Sequence, residues 1–340
     1  MNIKEIAKTS GVSVATVSRV LNHPDTVAPK TREKVLAIIN ELGYKPNWFA
    51  RGLNFNKTDT IGLLIPSIQN PAYMEVAEGV EYVANNKGYT TLLCITEENV
   101  EKERKYIQTL IDRRIDGIIL VSSLLEDSDI QEIKKQETAV VLIGENRGNS
   151  KLPIVRIDCF GAAHKAVKHL LNCGHKKIAI VYGSTPMMEN NLKIKGYKLA
   201  LKEAGISINE DYLVKDENTI EGGYIAARKL LGLGDERPDA IFATSDLLAF
   251  GVMDAIRDSN LSVADDVAVM GFDNIRVSNL MVPKLSTVDK PLYRMGISGA
   301  RLLLDVIESE EGIAMSEIIL QSKLKIRKSC GHKERIKEIF

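Results

Sequence analysis

The chain has 340 residues with 45 basic and 45 acidic side chains, and 44% of its residues are hydrophobic. This composition is typical of an ordinary globular protein with room for more than one domain. No stretch approaches the roughly 20 apolar residues of a membrane span, and the N-terminus lacks a signal-peptide core. Four cysteines without C-x-x-C spacing fit a reducing compartment, so we expect a cytoplasmic protein that makes no membrane contact.

Positive charge is concentrated in the first sixth of the chain. Residues 1–58 carry nine Lys or Arg against four Asp or Glu, so this stretch has a formal charge of +5 and the remainder −5. A basic head on an acidic body is typical of a protein that places one end on a nucleic acid.

The start of the chain predicts two short helices that meet at a tight corner. A capping box precedes a helix over residues 3–9, and Ser13 can cap a second helix over residues 14–22. Gly11 supplies the open backbone angle that the corner needs. Such a pair is typical of a helix-turn-helix, whose second helix reads DNA; a helical corner without DNA contact is the alternative.

The second helix has two different faces. Val17, Val20 and Leu21 share helical spacing and are predicted to pack on the first helix. The opposite face carries small, hydrogen-bonding or cationic side chains: Val14, Ala15, Thr16, Ser18 and Arg19. Side chains of this kind allow the front turn of a helix to enter the major groove.

A third helix and a short strip complete this region. The helix is predicted over residues 31–42, after Pro29, and it ends at Gly43. In the strip 46–58, a helix of about two turns is too short to be stable alone. Leu53 in this strip suits a wedge inserted between base steps from the minor groove. A flexible linker whose leucine packs on the body is the alternative.

Several segments of the first 58 residues form a specific pattern: Ile3-Lys4-Glu5-Ile6-Ala7, Gly11-Val12-Ser13, Thr16-Val17-Ser18-Arg19-Val20-Leu21-Asn22 and Ala50-Arg51-Gly52-Leu53. With this pattern the chain resembles the LacI/GalR family of bacterial transcription regulators, and the resemblance continues through almost the whole chain. It implies that residues of the second helix face bases and that Leu53 of each subunit intercalates at the centre of a palindromic operator. The DNA-binding residues expected in this way are Ser13, Val14, Ala15, Thr16, Ser18, Arg19, Asn22, Thr31, Asn47, Ala50, Arg51 and Leu53.

From Thr60 the sequence changes to short β-branched runs that alternate with amphipathic helices. Strands are predicted at 61–65, 90–95, 117–121, 139–143 and 154–157, and again at 177–182, 212–214, 240–243 and 267–270. Helices are predicted at 73–86, 100–113, 128–136, 161–171, 192–204, 223–231 and 247–259. This alternation indicates parallel sheets covered on both faces. After a strand at 285–288 and a helix at 292–308, the strand-like stretch 317–327 is expected to complete both sheets.

The resemblance implies a periplasmic-binding-protein-like body with its ligand between two lobes. The expected fold is therefore α/β, a two-lobed core with parallel sheets, preceded by a small all-α helix-turn-helix domain and a hinge helix. The expected boundaries are 1–45 for the helix-turn-helix domain, 46–58 for the hinge, 59–159 with 289–320 for the first lobe, 160–288 with 321–330 for the second lobe, and 331–340 for the tail.

Signatures of enzymes are missing from the sequence. It contains neither G-x-G-x-x-G after the first strand nor a phosphate-binding P-loop, and G-x-S-x-G is absent. Cys173-Gly174-His175 and Cys330-Gly331-His332 repeat a C-x-H pattern, but Gly174 is explained as the end of a helix. We expect no enzymatic activity, no cofactor and no metal ion.

Polar residues follow several of the predicted strands, where open parallel sheets bind ligands. The resemblance and these positions together predict an effector site formed by Asn70, Tyr73, Asp158, Lys193, Asn218, Ser245 and Asp273. Tyr73 or Phe160 can stack on a sugar. Helix capping is the alternative for Asp273 and for Asp246, and Asp158 can instead hold the crossover between the lobes. Lys193 stands where sugar-binding members of the family commonly have Arg, which grips hydroxyl pairs better.

The expected function is that of a sequence-specific repressor of carbohydrate-related genes, controlled by a sugar or sugar phosphate. In a branch of the family, the catabolite-control regulators, a seryl-phosphorylated phosphocarrier protein docks instead. Tyr293 and Arg301 match two docking positions of that branch, whereas Arg294 replaces an acidic residue there. A sugar-handling enzyme and a ligand-binding module with a degenerate head are the remaining alternatives.

One recognition helix reads too few base pairs for a specific site, so a homodimer on palindromic double-stranded DNA is expected. The segment after Lys323 lacks sustained leucine heptads, which argues against the tetramer-forming extension of some family members. The expected mechanism is that occupancy of the cleft changes the angle between the lobes and so the spacing of the two hinge strips.

Overall fold

A computed structural model describes residues 3–22, 24–43, 57–136, 138–145, 152–185, 187–309 and 316–331. The chain divides into two compact units, a head (residues 1–58) and a body (residues 59–340). Within the described ranges, no helix combines the length and the apolar character that crossing a membrane requires.

The described part of the head contains helices α1 (Ile3–Ser10), α2 (Val14–Asn22) and α3 (Pro29–Glu41), with a 3₁₀ turn at Pro24–Thr26. Gly11 has φ +67°, the left-handed conformation expected for the corner between α1 and α2. The helix α3 begins two residues before its predicted start because Pro29 is preorganised for the first helical position. The three helices bury a small apolar core of Ile6, Ala7, Val17, Val20, Val35 and Ile39.

The first half of the body contains β1 (Thr60–Ile65), α4 (Pro71–Asn86), β2 (Thr90–Ile95), α5 (Val100–Asp112), β3 (Gly117–Val121), α6 (Asp127–Lys135), β4 (Ala139–Ile143) and β5 (Ile154–Ile157). The second half contains α7 (Cys159–Asn172), β6 (Ile178–Gly183), α8 (Met188–Glu203), β7 (Leu213–Asp216), α9 (Ile220–Leu231), β8 (Ala240–Ala243), α10 (Asp246–Asp258) and β9 (Ala268–Asp273). The last part contains β10 (Ser286–Asp289), α11 (Leu292–Glu308), β11 (Glu317–Leu320) and β12 (Lys323–Lys325).

The strands form two six-stranded sheets, which confirms the predicted α/β fold. The first sheet has the order β11-β5-β4-β3-β1-β2, and the second has the order β12-β10-β9-β8-β6-β7. All described pairings are parallel except that of β12 with β10. The strands β1, β3 and β9 are buried along their whole length, as expected for sheets covered on both faces.

The stretch 317–327, which the sequence presents as one strand-like run, is two strands in two different sheets. The first, β11, pairs with β5, and the second, β12, pairs with β10. The chain therefore crosses from one sheet to the other between Leu320 and Lys323. Alternating apolar residues cannot reveal such a break because both short strands keep the same period.

Glycines allow two pairs of helices in the body to approach closely. A Cβ atom at Gly79 would lie 2.2 Å from the carbonyl oxygen of Tyr293, so only glycine fits where α4 meets α11. Gly251 plays the same role between α10 and α9, where a Cβ would lie 1.9 Å from the carbonyl oxygen of Ile220. These contacts fix the helices that cover the sheets.

Candidate functional site

The helix predicted to read DNA begins with a complete N-cap. The Ser13 hydroxyl accepts a hydrogen bond from the Thr16 amide at 3.1 Å and lies 2.9 Å from the Thr16 hydroxyl. The Ser13 carbonyl accepts from the Thr16 and Val17 amides at 3.0 and 3.1 Å. These hydrogen bonds hold Ser13, which is exposed, and Thr16, which is half-buried, at the front turn of α2.

The face of α2 opposite the core is accessible. Ser13, Val14, Ala15 and Arg19 are exposed, and Thr16 and Ser18 are half-buried. Val14, an apolar residue, is 41% exposed, so it is not held by packing within the head. Small and polar side chains around one exposed arginine present a surface that fits a major groove.

The remaining DNA-binding candidates are placed only in part. Thr31 is half-buried in the first turn of α3, and the backbone of Asn22 closes α2. The side chain of Asn22 and the hinge residues Asn47, Ala50, Arg51 and Leu53 lie outside the described residues.

Six of the seven effector candidates meet between the two sheets of the body, at the carboxyl ends of their strands. They line an enclosed cavity of about 40 Å³: Asn70, Tyr73, Lys193, Asn218, Ser245 and Asp273. The first two follow β1 and the other four belong to the half built on the second sheet. The seventh, Asp158, is exposed outside this cavity and caps α7 by accepting a hydrogen bond from the Gly161 amide at 2.8 Å.

A buried ion network fills the middle of this cleft. The Lys290 ammonium donates to both carboxylate oxygens of Glu189 at 2.9 and 3.1 Å. Lys193 lies 3.8 Å from the same carboxylate, donates to the Thr244 carbonyl at 2.9 Å, and sits 4.0 Å from the centre of the Phe272 ring. Burial alone would raise the pKa of Glu189, but the two ammonium groups hold it below its ordinary value. Glu189 is therefore ionised although it is buried.

Asp273 adds a second carboxylate to this network. Burial raises its pKa to about 6, although the positive charges of Lys193 and Lys290 oppose the shift. Its backbone has φ +115°, which side-chain-bearing residues rarely adopt. Strained backbone of this kind is concentrated at functional sites because the surrounding structure must hold it in place.

Several candidates also have structural roles. Asn70 caps α4 by accepting from the Ala72 amide at 3.0 Å, and Ser245 caps α10 by accepting from the Leu248 amide at 3.2 Å. The Ser245 hydroxyl donates to the Asn218 side-chain oxygen at 2.5 Å. Capping and cavity lining thus coincide here, because helices that follow parallel strands begin at the ligand-facing edge of the sheet.

Two interpretations of the sequence are wrong in this region. Asp246 does not cap α10, because Ser245 does so; its carboxylate instead accepts from the Ile275 amide at 2.9 Å and the Thr287 hydroxyl at 2.6 Å. Burial and the neighbouring charge of Asp273 raise the pKa of Asp246 to about 7. Phe160 is not available as a stacking platform, because it is not among the residues that line the cavity.

A wider opening of about 850 Å³ adjoins the enclosed cavity and shares Asn70, Tyr73 and Asn218 with it. Its walls carry four acidic residues, Glu97, Glu98, Glu217 and Glu221. The Thr185 hydroxyl donates to the Glu98 carboxylate and so joins the two halves of the body.

Sequence reasoning missed Glu189 and Lys290, two charged residues that line the cavity. Glu189 precedes Lys193 by one helical turn, and Lys290 directly follows β10, so both have positions typical of ligand-facing residues. Position alone did not distinguish them, because an acid at a helix start is also favoured by the helix dipole.

Comparison with known proteins agrees with this architecture. The model for bacterial regulatory proteins of the lacI family matches residues 2–47, and the model for periplasmic binding proteins and the sugar-binding domain of the LacI family matches residues 58–328. The chain is 38% identical over 330 residues to catabolite control protein A of Priestia megaterium, covering 97% of this chain and 99% of that protein.

Two solved structures cover both units of the chain. A complex of the transcriptional regulator CelR with cellobiose superposes with a TM-score of 0.73 at 30% identity, covering 97% of this chain and 99% of that one. A lac repressor dimer bound to operator and an anti-inducer gives a TM-score of 0.84 at 24% identity, with coverage of 97% and 99%, and so supports the fold. The chain belongs to the LacI family and is a DNA-binding transcriptional regulator with an effector-binding domain.

Proposed function

We propose that this regulator represses carbohydrate-related genes and that a small polyhydroxylated ligand, a sugar or sugar phosphate, controls its affinity for operator DNA from the cleft of the body. The observation that carries this proposal is the convergence of six polar or aromatic candidates from both halves of the body on one cavity. Amide, hydroxyl, ammonium and carboxylate groups around an aromatic ring are the groups that bind sugar hydroxyls.

The charges of the cavity favour a ligand with several hydroxyls or a phosphate. Lys193 and Lys290 each place an ammonium group in the cavity, and Glu189 and Asp273 offer carboxylate acceptors. A hydroxylated ligand can replace the internal hydrogen bonds of Glu189 with its own, and a phosphate can replace Glu189 as the partner of the two lysines. Lys193 binds such groups as a point charge, without the paired geometry of Arg.

Ligand entry requires the two halves of the body to separate. Ligand sites generally have volumes of roughly 300–1,000 Å³, whereas the enclosed cavity measures about 40 Å³. The contact of Tyr73 with Met187 at 3.9 Å and the hydrogen bond from Thr185 to Glu98 join the two halves around the cavity in this closed form. Occupancy would therefore change the angle between the lobes, which is the motion that the regulator would transmit.

Our proposal for transmission is that the lobe angle sets the spacing of the hinge strips (residues 46–58) in a homodimer on a palindromic operator. Leu53 would insert into DNA only at the permitted spacing. A coupling of about 1–3 kcal/mol, five- to 150-fold in affinity, is usual for such linked sites. We infer that the protein regulates without turning over its ligand, and we place it in the cytoplasm, where its operator DNA lies.

A second candidate controller is a seryl-phosphorylated phosphocarrier protein, as in the catabolite-control branch. The similarity to catabolite control protein A and the small enclosed volume favour it. Tyr293 and Arg301 lie on α11, where Tyr293 is half-buried against Tyr82 and Arg301 is exposed. Arg294 and several other basic side chains line an adjacent groove of about 790 Å³ that could receive a phosphoserine: Arg276, Lys284, Lys325 and Arg327.

The test combines a thermal-shift screen with a DNA-binding assay. The full chain is screened against neutral sugars, sugar phosphates and the phosphorylated phosphocarrier protein, and each hit is added to the protein on an operator selected from random DNA. We expect a sugar or sugar phosphate to raise Tm and to change operator affinity at least five-fold. A response to the phosphocarrier protein alone would favour the second candidate, and no response to any of them would contradict both.

A further inference from the structure

Two segments that are distant in sequence bring two thiols and an imidazole together in the second lobe. His169 lies in the last turn of α7, Cys173 follows as the C-cap of that helix, and Cys330 lies beyond β12. Nε2 of His169 is 3.3 Å from Sγ of Cys330 and 3.5 Å from Sγ of Cys173. The three ligand-type atoms all lie within 4.8 Å of one another.

These separations match the edges of a tetrahedral zinc site. Zinc binds thiolate sulfur at about 2.3 Å and imidazole nitrogen at about 2.0–2.1 Å, so a tetrahedral angle separates sulfur from nitrogen by about 3.5 Å. The observed nitrogen–sulfur distances of 3.3 and 3.5 Å fit this value. An ion can therefore be placed among the three atoms with little movement of the side chains.

Hydrogen bonding alone explains this convergence less well. An imidazole Nε2 has either one lone pair or one N–H, and a thiol is a weak donor and a weak acceptor. The Cys330 thiol can donate to the Arg327 carbonyl at 3.7 Å. One imidazole nitrogen, however, can serve only one sulfur with good geometry, yet both sulfurs approach it. A cation at the centre satisfies all three groups at once.

The surroundings hold the ligands in position. Cys330 is fully buried, while His169 and Cys173 are half-buried and leave a path for an ion. His175 contacts the Cys330 carbonyl through Nε2 at 3.1 Å. Ser329, the preceding residue, donates from its hydroxyl to the Val269 carbonyl at 2.7 Å, which fixes the segment against β9. Supporting contacts of this kind orient the ligands of metal sites.

We propose that His169, Cys173 and Cys330 bind one Zn²⁺ ion, with solvent as the fourth ligand. Two thiolates and one imidazole form a donor set that zinc prefers, whereas magnesium and calcium require oxygen ligands. The ion would link the segment 327–331 to the end of α7. Cys173 and Cys330 are 157 residues apart, so the link would constrain a large part of the second lobe. The repeated Cys-Gly-His pattern does not predict this site, because His169 belongs to neither copy.

Zinc content and a spectroscopic probe test the proposal on the full chain. The reduced protein, stripped with a chelator, is titrated with Zn²⁺ or Co²⁺ in the presence of a phosphine reductant. We expect one equivalent to bind, zinc to raise Tm by several degrees, and cobalt to give thiolate charge-transfer and tetrahedral ligand-field bands. Cys173→Ser should lose the cobalt spectrum and the Tm rise, because one thiolate ligand is missing. The variant should fold, because Cys173 is only half-buried and its replacement leaves the core intact.

The matched control is Cys94→Ser, which removes a half-buried thiol from β2 in the other sheet. This variant should bind zinc like the parent. His169→Ala gives a second test in which both thiols remain, and it should weaken zinc binding at least ten-fold. The proposal is overturned if the parent binds no zinc or if all three variants bind it equally.

Discussion

At the scale of single residues, the cavity is defined by charges that burial penalises and neighbours stabilise. Glu189 is ionised because two lysines face it, whereas Asp273 has a pKa raised to about 6. The two carboxylates therefore differ in how they respond to pH. For each carboxylate, the difference between the folded and unfolded pKa makes the free energy of unfolding depend on pH.

Asp273 should make the body less stable as pH rises. Its folded pKa of about 6 lies above the unfolded value of about 3.9, so the folded state binds more protons in between and unfolding becomes easier as pH rises through that window. Asp273→Asn removes this dependence. Urea unfolding should show the variant gaining about 2 kcal/mol over the parent between pH 4 and pH 7.5.

The exposed Asp265→Asn is the matched control for this substitution. It should show no comparable gain over the same pH range. An Asp273→Asn variant whose stability follows the parent at every pH would show that the carboxyl group titrates in the folded protein as it does in the unfolded chain.

Breaking the Glu189–Lys290 pair should be costly. Glu189→Gln leaves two buried ammonium groups without their shared carboxylate, and loss of one partner of a buried pair typically costs about 3–5 kcal/mol. The same substitution at Glu132, which pairs with Lys135 at 3.1 Å on the surface, should cost less than about 1 kcal/mol. Denaturant unfolding measures both, and equal effects would mean that the cavity is hydrated rather than closed.

At the scale of elements, the helices of the body are positioned by glycines at their crossings. Gly251→Ala tests this at the contact of α10 with α9. Helix propensity alone would stabilise the alanine variant by about 0.5–1 kcal/mol. Because the new Cβ would lie 1.9 Å from the Ile220 carbonyl oxygen, we expect instead a loss of about 3 kcal/mol. Thermal unfolding shows whether Gly251→Ala raises or lowers the stability. The control is Asp254→Ala at an exposed position of the same helix, which should change the stability by less than about 0.5 kcal/mol.

If α2 reads DNA as proposed, its exposed arginine should contribute to specificity. Arg19→Ala is predicted to relax the preference at one base pair of the operator by about 1–3 kcal/mol, because a bidentate contact to a base edge would be lost. Affinities for a set of single-base operator variants measure this. A uniform loss over all operators would instead assign Arg19 to a phosphate contact.

Elements were predictable from the sequence where local pattern determines them. The bounds of α2, 14–22, agree because Ser13 caps it and its apolar face has a clear period. The sequence predicts the start of α8 at residue 192, four residues after Met188, because the first turn contains Glu189 and polar residues that resemble a loop. The sequence does not distinguish Ser245 from Asp246 as the cap of α10, because Ser and Asp are equally good caps.

The candidate site was only partly predictable for a related reason. Asn70 and Tyr73 lie shortly after the end of β1 and Asp273 is the last residue of β9, so the topology of a parallel sheet brings them to one edge. The pairing of Glu189 with Lys290 spans 101 residues and depends on how the start of α8 packs beside the end of β10. Such a contact has no local signal, and neither has the meeting of His169 with Cys330.

At the scale of the whole molecule, the chain combines a DNA-binding head with a body that contains an effector-binding domain. Our proposal requires that ligand occupancy of the cleft change the affinity of the protein for operator DNA. The coupling is reciprocal, so operator DNA should change the affinity of the cleft for its ligand by the same factor. A ligand that bound open and closed forms equally would have no effect, however tightly it bound.

The most direct measurement is the operator affinity of a variant whose cleft is loosened without any ligand. Thr185→Val combined with Tyr73→Phe removes the two hydroxyl groups that contact Glu98 and Met187 between the halves of the body, and it changes no charge. Fluorescence anisotropy at fixed salt should show an operator affinity that differs at least five-fold from that of the parent, while Glu132→Gln leaves it unchanged. An affinity within two-fold of the parent, in a variant whose cleft opens more readily by hydrogen exchange, would contradict control of DNA binding by the cleft.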